Sequence, residues 1–292
     1  MKTLNTFFLI MFAVCFLSSK SYASTACAAT STAASHQGLA GSANYATNGD
    51  DGYCFHTPTS MKVTVYEFGL CTAASSPTSK TACTTIFNNT SGKTLDLGVG
   101  SSLPLSDSVS LTEGTYTHAY VVLSNVTSIK SVIQFSTARV DDKNNSGTYC
   151  YTDGRSVNDA PTPESVMSCG SNGSNAAYAV ETIGLGGNNT YSNTYMNYTV
   201  SMGGANIVSN LYAITSSGAL SSAGNDFALY GSQQLASAVN ITPDTKGLDI
   251  AFSITDGVTL GFGINHGNGV AVGQTGPNDA VFEGLRFKIT AR

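Results

Sequence analysis

Leu248, Ile250, Phe252 and Ile254 alternate with Asp249, Ser253 and Thr255. This period of two puts every second side chain on one apolar face and predicts a half-buried strand. The alternation resumes after Asp256-Gly257 with Val258, Leu260, Phe262 and Ile264. An Asp-Gly pair between two such runs predicts a β-hairpin with a type I′ turn. The same period recurs at Ile129, Ile133 and Phe135, at Met196, Tyr198, Val200 and Met202, at Leu235, Val239 and Ile241, and in the terminal run Val281, Leu285, Phe287 and Ile289. No stretch keeps helical spacing over the ~10 residues a core helix needs. The chain is therefore expected to be all-β. Many short strands broken by Gly, Asn and Asp turns imply an antiparallel β-sandwich, because strands with one apolar face must hide it against a second sheet.

The first residues break this pattern. Lys2 precedes the apolar run Phe7 to Leu17, and Ser21-Tyr22-Ala23 supplies small residues for cleavage, so residues 1–23 read as a secretory signal peptide. The run is too short to cross a bilayer, which takes about 20 residues in a helix, and no later segment approaches that length. The mature protein is thus expected to carry no transmembrane segment and to be secreted: extracellular, on the cell surface or in the periplasm.

Residues 24–50 lack both alternation and bulk and predict a low-complexity arm. Residues 51–155 are expected to form a β-sandwich module and 176–292 a second β module. Between them, 156–175 contain Pro161, Pro163 and the SCGSNGSN run and read as an irregular linker or insertion. One large module in place of two stacked ones fits the same pattern.

Composition narrows the functional classes. Charged residues are 11% of the chain, against about 25% in ordinary soluble domains, with Ser, Thr, Asn, Gly and Ala in the surface role. The formal charge is −5, and loss of Lys2 and Lys20 with the leader makes it more negative. Lys and Arg are not clustered, which speaks against nucleic-acid binding, since phosphate neutralisation needs grouped cations. Six cysteines remain after the leader: Cys27, Cys54, Cys71, Cys83, Cys150 and Cys169. An even number in an exported chain suggests disulfides. Pairing of sequence neighbours, Cys27 with Cys54, Cys71 with Cys83 and Cys150 with Cys169, closes the shortest loops. The C-x-x-C spacing of zinc sites does not occur.

The stretch Leu111-Thr-Glu-Gly114-Thr-Tyr116-Thr-His-Ala-Tyr-Val121, a turn running through glycine into an aromatic strand, resembles the corresponding element of prealbumin-like modules in secreted bacterial proteins. The resemblance covers about a dozen residues and implies a β-sandwich. Such modules serve as stalks, adhesive domains or carbohydrate-binding appendages; the resemblance transfers no functional residues.

Three kinds of candidate chemistry follow. Asp142, Asn144 and Ser146, followed by Gly147 and with Asp153 at the twelfth position, fit a relaxed calcium-loop signature, in which oxygens at alternate positions converge because glycine permits a sharp turn. The strand-like flanks fit a polar hairpin turn equally well. Asn48-Gly-Asp50-Asp51-Gly52 is a second acidic turn without that spacing. Tyr116, Tyr120, Tyr195 and Tyr198 offer an aromatic surface for an extracellular glycan, with Tyr116, His118, Tyr120 and Val122 on one strand face. His36, His56, His118 and His266 have no adjacent nucleophile, and neither G-x-S-x-G nor H-E-x-x-H is present, so no catalytic set is nominated and the chain is not expected to be an enzyme.

The sequence therefore predicts a non-catalytic secreted surface or appendage protein, adhesive or structural, whose partners are copies of itself or an extracellular glycan. Self-assembly by strand addition would use the apolar run Val281 to Ile289. The alternative is a carbohydrate-binding module, with calcium as its possible stabiliser and no other cofactor.

Overall fold

A computed structural model describes residues 25–32, 35, 52–98, 102–103, 112–157, 166–183, 195–202, 205–221, 227–262, 274–282 and 284–292. Residues 1–23, where a leader is expected, most of the span 24–50, His36, the acidic residues 48–51 and His266 lie outside them. Among the described residues are eighteen strands, numbered here in chain order, and one 3-10 turn, Gly173–Asn175. No described helix is long and apolar enough to cross a membrane.

One sheet dominates. It runs β12 (Tyr195–Met202), β13 (Ala205–Ile214), β14 (Ala228–Ile241), β5 (Gly114–Ser124), β2 (Ser60–Cys71), β6 (Val126–Lys130), β11 (Ala179–Thr182) and β9 (Ser156–Val157), with β3 (Cys83–Gly98) also paired to β2. Three small sheets complete the fold. They are β1 (Gly52–His56), β16 (Val258–Phe262) and β17 (Asp279–Phe282); β10 (Met167–Gly170), β8 (Ser146–Thr152) and β7 (Val132–Val140); and β18 (Arg286–Ala291), β15 (Leu248–Ser253) and β4 (Ser102–Leu103). Apart from the short β9–β11 pair, the strand pairings are antiparallel.

The inner faces of all four sheets meet in one apolar core. It contains Met61, Val63 and Phe68 of β2, Ile129 of β6, Ile250 and Phe252 of β15, and Val258, Leu260 and Phe262 of β16. Phe68 meets Phe252 edge-on at 6.1 Å between ring centres, and Phe135 of β7 meets Phe262 at 6.3 Å. Each fully buried aliphatic or aromatic side chain of this kind contributes about 1.5–3 kcal/mol of transfer free energy. The alternation in the sequence is the cause of this layering, and the all-β expectation holds.

The strand partners differ from the local expectation at three places. β15 and β16 do not form a hairpin: β15 pairs with β18 and β4, and β16 with β1 and β17. A type I′ turn needs positive φ at both central residues. Here Asp256 alone is left-handed (φ 54°), and Gly257 N–H donates to Ile254 O at 2.9 Å, so the turn carries the chain from one sheet to another.

The spans 51–155 and 176–292 are interleaved: β14 lies between β13 and β5, and β16 pairs with β1. Nor is 156–175 a plain linker, since it supplies β9, β10 and the 3-10 turn. Finally, the segment expected to be donated to a neighbour is already paired within its own chain, Val281 with Thr259 and Ile289 with Ile250.

The three neighbour pairings of cysteine are the disulfides of the fold. Cys71 and Cys83 are direct partners on β2 and β3, and Cys150 and Cys169 on β8 and β10. Cys27 is bonded to Cys54 of β1, and the arm around it is well fastened. Cys27 N–H donates to Phe55 O at 2.7 Å, Ser136 N–H to Ala29 O at 2.8 Å, and the buried Arg139 donates to Ser31 O at 2.7 Å. Residues 25–32 thus depart from the loose arm expected there.

His56, at the end of β1, has a buried Nε2 without a hydrogen-bond partner. Burial pushes its pKa below the ordinary 6.5, against a hydrogen bond with the Val132 main chain and the charge of Asp256. The folded state therefore prefers the neutral imidazole. Its contribution is fully present above about pH 6.5 and declines as pH falls through that value toward the lowered folded pKa. His118, lowered by partial burial, acts with the same sign. Melting temperatures measured between pH 7.5 and 5 should fall with acidity, and His56→Gln should flatten that fall; an unchanged slope in the variant would assign the effect elsewhere.

Candidate functional site

The outer face of the large sheet carries a second cluster built from Tyr120, Val122, Ile214, Ala228 and Tyr230, with Tyr66 and Tyr212 packed against it. Two irregularities in strand pairing create it. Pairing of β2 with β3 and with β5 shifts between Val65 and Glu67. Met61, Val63 and Val65 face the main core before the shift, and Phe68 and Leu70 after it. Such a bulge lets adjacent residues share one side of a sheet, and here Tyr66 packs on the outer cluster while Glu67 hydrogen-bonds within it. On β5, Tyr116 faces the main core with Ala119, Val121 and Leu123, whereas Tyr120 and Val122 face outward. The slip between Tyr116 and His118 is visible in the β5–β14 pairing.

Tyr120 and Tyr230 stack at 5.4 Å between centroids and 12° between planes, and Tyr212 meets Tyr230 edge-on at 6.0 Å. Glycine at 69 makes room for this arrangement, since a Cβ there would lie 2.3 Å from Tyr120 Cε1. Tyr120 Oη donates to Glu67 Oε1 at 2.5 Å, and Thr85 Oγ1 lies 2.6 Å from Tyr120 Oη.

The loop between β2 and β3, closed by Cys71–Cys83, is fastened over this pair. Lys80 Nζ donates to Glu67 Oε2 at 3.1 Å and sits 5.2 Å from the Tyr120 ring centre and 5.4 Å from that of Tyr230. Buried Ser75 accepts from Tyr230 Oη at 2.7 Å and contacts Ser232 Oγ at 3.2 Å.

The electrostatics follow from these contacts. Burial pushes the Glu67 carboxyl up, but the bonds from Tyr120, Lys80 and Thr85 together with the Lys80 charge outweigh it and hold the group below its usual range. Burial, then the bond to Glu67, pushes the Tyr120 phenol well up. Burial, with the Glu67 charge adding to it, pushes Tyr230 up to about 12. The cluster thus holds the Glu67 carboxylate in its ionised form against the Lys80 side chain and a Tyr120 phenol that keeps its proton.

Beside it opens a cleft of about 370 Å3, lined by Tyr66, Glu67, Lys80, Asn88, Asn89 and Phe227 together with the 215–218 turn. The volume falls in the ~300–1,000 Å3 range of small-ligand sites. Tyr66 and Phe227 lie against each other at 5.4 Å, and Phe227 is 44% exposed.

Those residues nominated from sequence whose side chains are described lie elsewhere or in other roles. Tyr116 is buried in the main core, its hydroxyl donating to Thr112 O at 2.9 Å, and Tyr120 is fully buried. Neither offers a ring face to a ligand; Tyr120 instead supports the cleft from below. Tyr195 and Tyr198 lie on β12, opposite Tyr212 and Ser209, and their side chains are outside the described residues.

The candidate calcium loop joins β7 to β8 as a polar hairpin. Buried Asp141, one residue before the nominated Asp142, organises it by accepting from Lys143 N–H at 2.9 Å, Asn145 N–H at 2.8 Å and Cys169 N–H at 3.0 Å. Asn144 takes the left-handed turn position (φ 65°), and Ser146 opens β8. Asp153 is engaged by Lys143 Nζ at 2.7 Å, by Arg155 and by Ser168 Oγ at 2.8 Å. The chain's own cations stand where an ion would need that carboxylate. Among the described residues no group of three or more His, Cys, Asp or Glu is gathered as for a metal.

Asp141→Ala should therefore cost about 2–3 kcal/mol, because it strips a charged acceptor from a buried N–H and unties the loop. Urea unfolding of the variant checks this, and a loss below ~1 kcal/mol would deny Asp141 that role.

Sequence reasoning missed Tyr66, Glu67, Lys80, Phe227 and Tyr230. A signal was present for the first two: the switch in apolar phase from Val63 and Val65 to Phe68 and Leu70 marks the bulge. No protein-family model matches the chain, and comparison with curated proteins and with solved structures finds no match.

Proposed function

We propose that this chain is an exported, non-catalytic surface protein that adheres to an extracellular ligand through the cleft beside Tyr66 and Phe227. One observation carries this reading: a ligand-sized cleft whose aromatic wall presents the exposed Phe227 stands on a base made rigid by the Cys71–Cys83 disulfide, the Tyr230–Ser75 bond and the Lys80–Glu67 pair. Binding is favoured by rigid elements that hold the contact groups before the ligand arrives. Catalysis is disfavoured by the same chemistry, since the Glu67 charge is paired with Lys80 and the Tyr120 and Tyr230 phenols stay protonated.

Export supports the reading through the three disulfides, which persist in oxidising compartments, and through the leader-like first residues. The test is adhesion. Purified wild-type protein should bind the surface of intact cells or extracellular matrix in a saturable manner, and Phe227→Ala, which alters an exposed side chain, should reduce that binding about tenfold without changing the melting temperature. Equal binding by both proteins would remove the cleft from the account, and no saturable binding by either would remove adhesion.

A further inference from the structure

Resting on that reading, we infer that the cleft takes a neutral saccharide, held with one ring face against Tyr66 and Phe227. Charge is the first ground. The nearest ionic groups, Glu67 and Lys80, are paired to each other at 3.1 Å, with Tyr120 donating to Glu67 as well. An anionic ligand would meet a lysine already committed to a carboxylate, and a cationic one a carboxylate already committed to an ammonium and a phenol. Either would have to break a pair that also holds the loop over the tyrosine stack. An uncharged ligand leaves it intact.

Shape and polarity are the second ground. The aromatic wall consists of the exposed Phe227 and the half-buried Tyr66, whereas Asn88, Asn89 and Thr90 of β3 and Thr215, Ser216 and Ser217 of the turn line the cleft with amides and hydroxyls. These groups both donate and accept hydrogen bonds and carry no charge. A ligand that matches such a surface has an apolar C–H face and a rim of hydroxyls, which is the chemistry of a pyranose ring. An apolar ligand would bury polar side chains of the rim without offering them a partner, which costs free energy. A flexible polar peptide would lack the flat apolar face.

Saturation-transfer NMR tests this with lactose, maltose, cellobiose and di-N-acetylchitobiose as neutral probes, and 3′-sialyllactose and a sulfated heparin disaccharide as charged ones. At least one neutral probe should give transfer concentrated on its ring C–H protons. Phe227→Ala and Tyr66→Leu should each weaken its binding about tenfold or more, while both variants keep the wild-type circular-dichroism spectrum and cooperative unfolding. Binding confined to the charged probes overturns the inference, as does binding of a neutral probe that survives both substitutions, or no binding by any neutral probe. The adhesion assay separates this from failure of the broader reading. Adhesion lost in Phe227→Ala but uncompeted by neutral sugars keeps the cleft and discards the saccharide; absence of adhesion discards both.

Discussion

Replacing both Cys150 and Cys169 by alanine should lower the free energy of unfolding by about 3 kcal/mol, the loss expected when a cross-link between residues 19 apart no longer restrains the unfolded chain. Both cysteines are buried, at 0% and 3% exposure, so packing is lost as well. The bond joins directly opposed positions of β8 and β10, and the Cys169 N–H beside it is the donor to Asp141. The loss should spread through that corner of the molecule. Guanidinium unfolding of the double variant against wild type measures the difference, and a change below ~1 kcal/mol would show that the link is redundant with the packing around it.

Gly147→Ala should do comparable damage by a different route. A Cβ at position 147 would lie 1.9 Å from Gly170 O and 2.0 Å from its carbonyl carbon, so the clash is with main chain that has no rotamer to change. Gly170 cannot withdraw freely, because it is paired with Tyr149 and follows Cys169. The strands must separate or the β7–β8 turn must reshape, and overpacking of this kind costs about 3 kcal/mol. Thermal unfolding and hydrogen exchange at the β8 and β10 amides check it. Wild-type stability in the variant would contradict the close approach of the two glycines.

The layered fold was legible because it is a local property. Alternation at Leu248, Ile250, Phe252 and Ile254 sets a strand's inner face regardless of what pairs with it, and all four are buried. The disulfides were legible for a related reason: Cys71 and Cys83 flank one loop, as do Cys150 and Cys169, and short loops close at the least entropic cost. Strand partnership was not legible. Asp256-Gly257 has the composition of a hairpin turn, yet β15 finds β18 and β16 finds β1, choices made by packing between residues remote in sequence.

The site was hidden twice over. The nominated Tyr116 and Tyr120 share a parity that the irregularity between them cancels. The true neighbours of Tyr230 include Ser75, 155 positions away, a distance that no local pattern reports. The calcium-like signature failed to reveal the groups that compete for it, since Lys143 sits inside the motif and Arg155 just beyond Asp153.

The account rests on export followed by oxidation, because the cross-linked base of the cleft and the β8–β10 corner held by Cys150–Cys169 both depend on it. Non-reducing peptide mass mapping of the protein, purified from the external fraction of the cells that make it, addresses this directly. Three linked peptide pairs are expected, joining Cys27 to Cys54, Cys71 to Cys83 and Cys150 to Cys169. Free thiols at these positions in native material, or a set of other pairings, would contradict it.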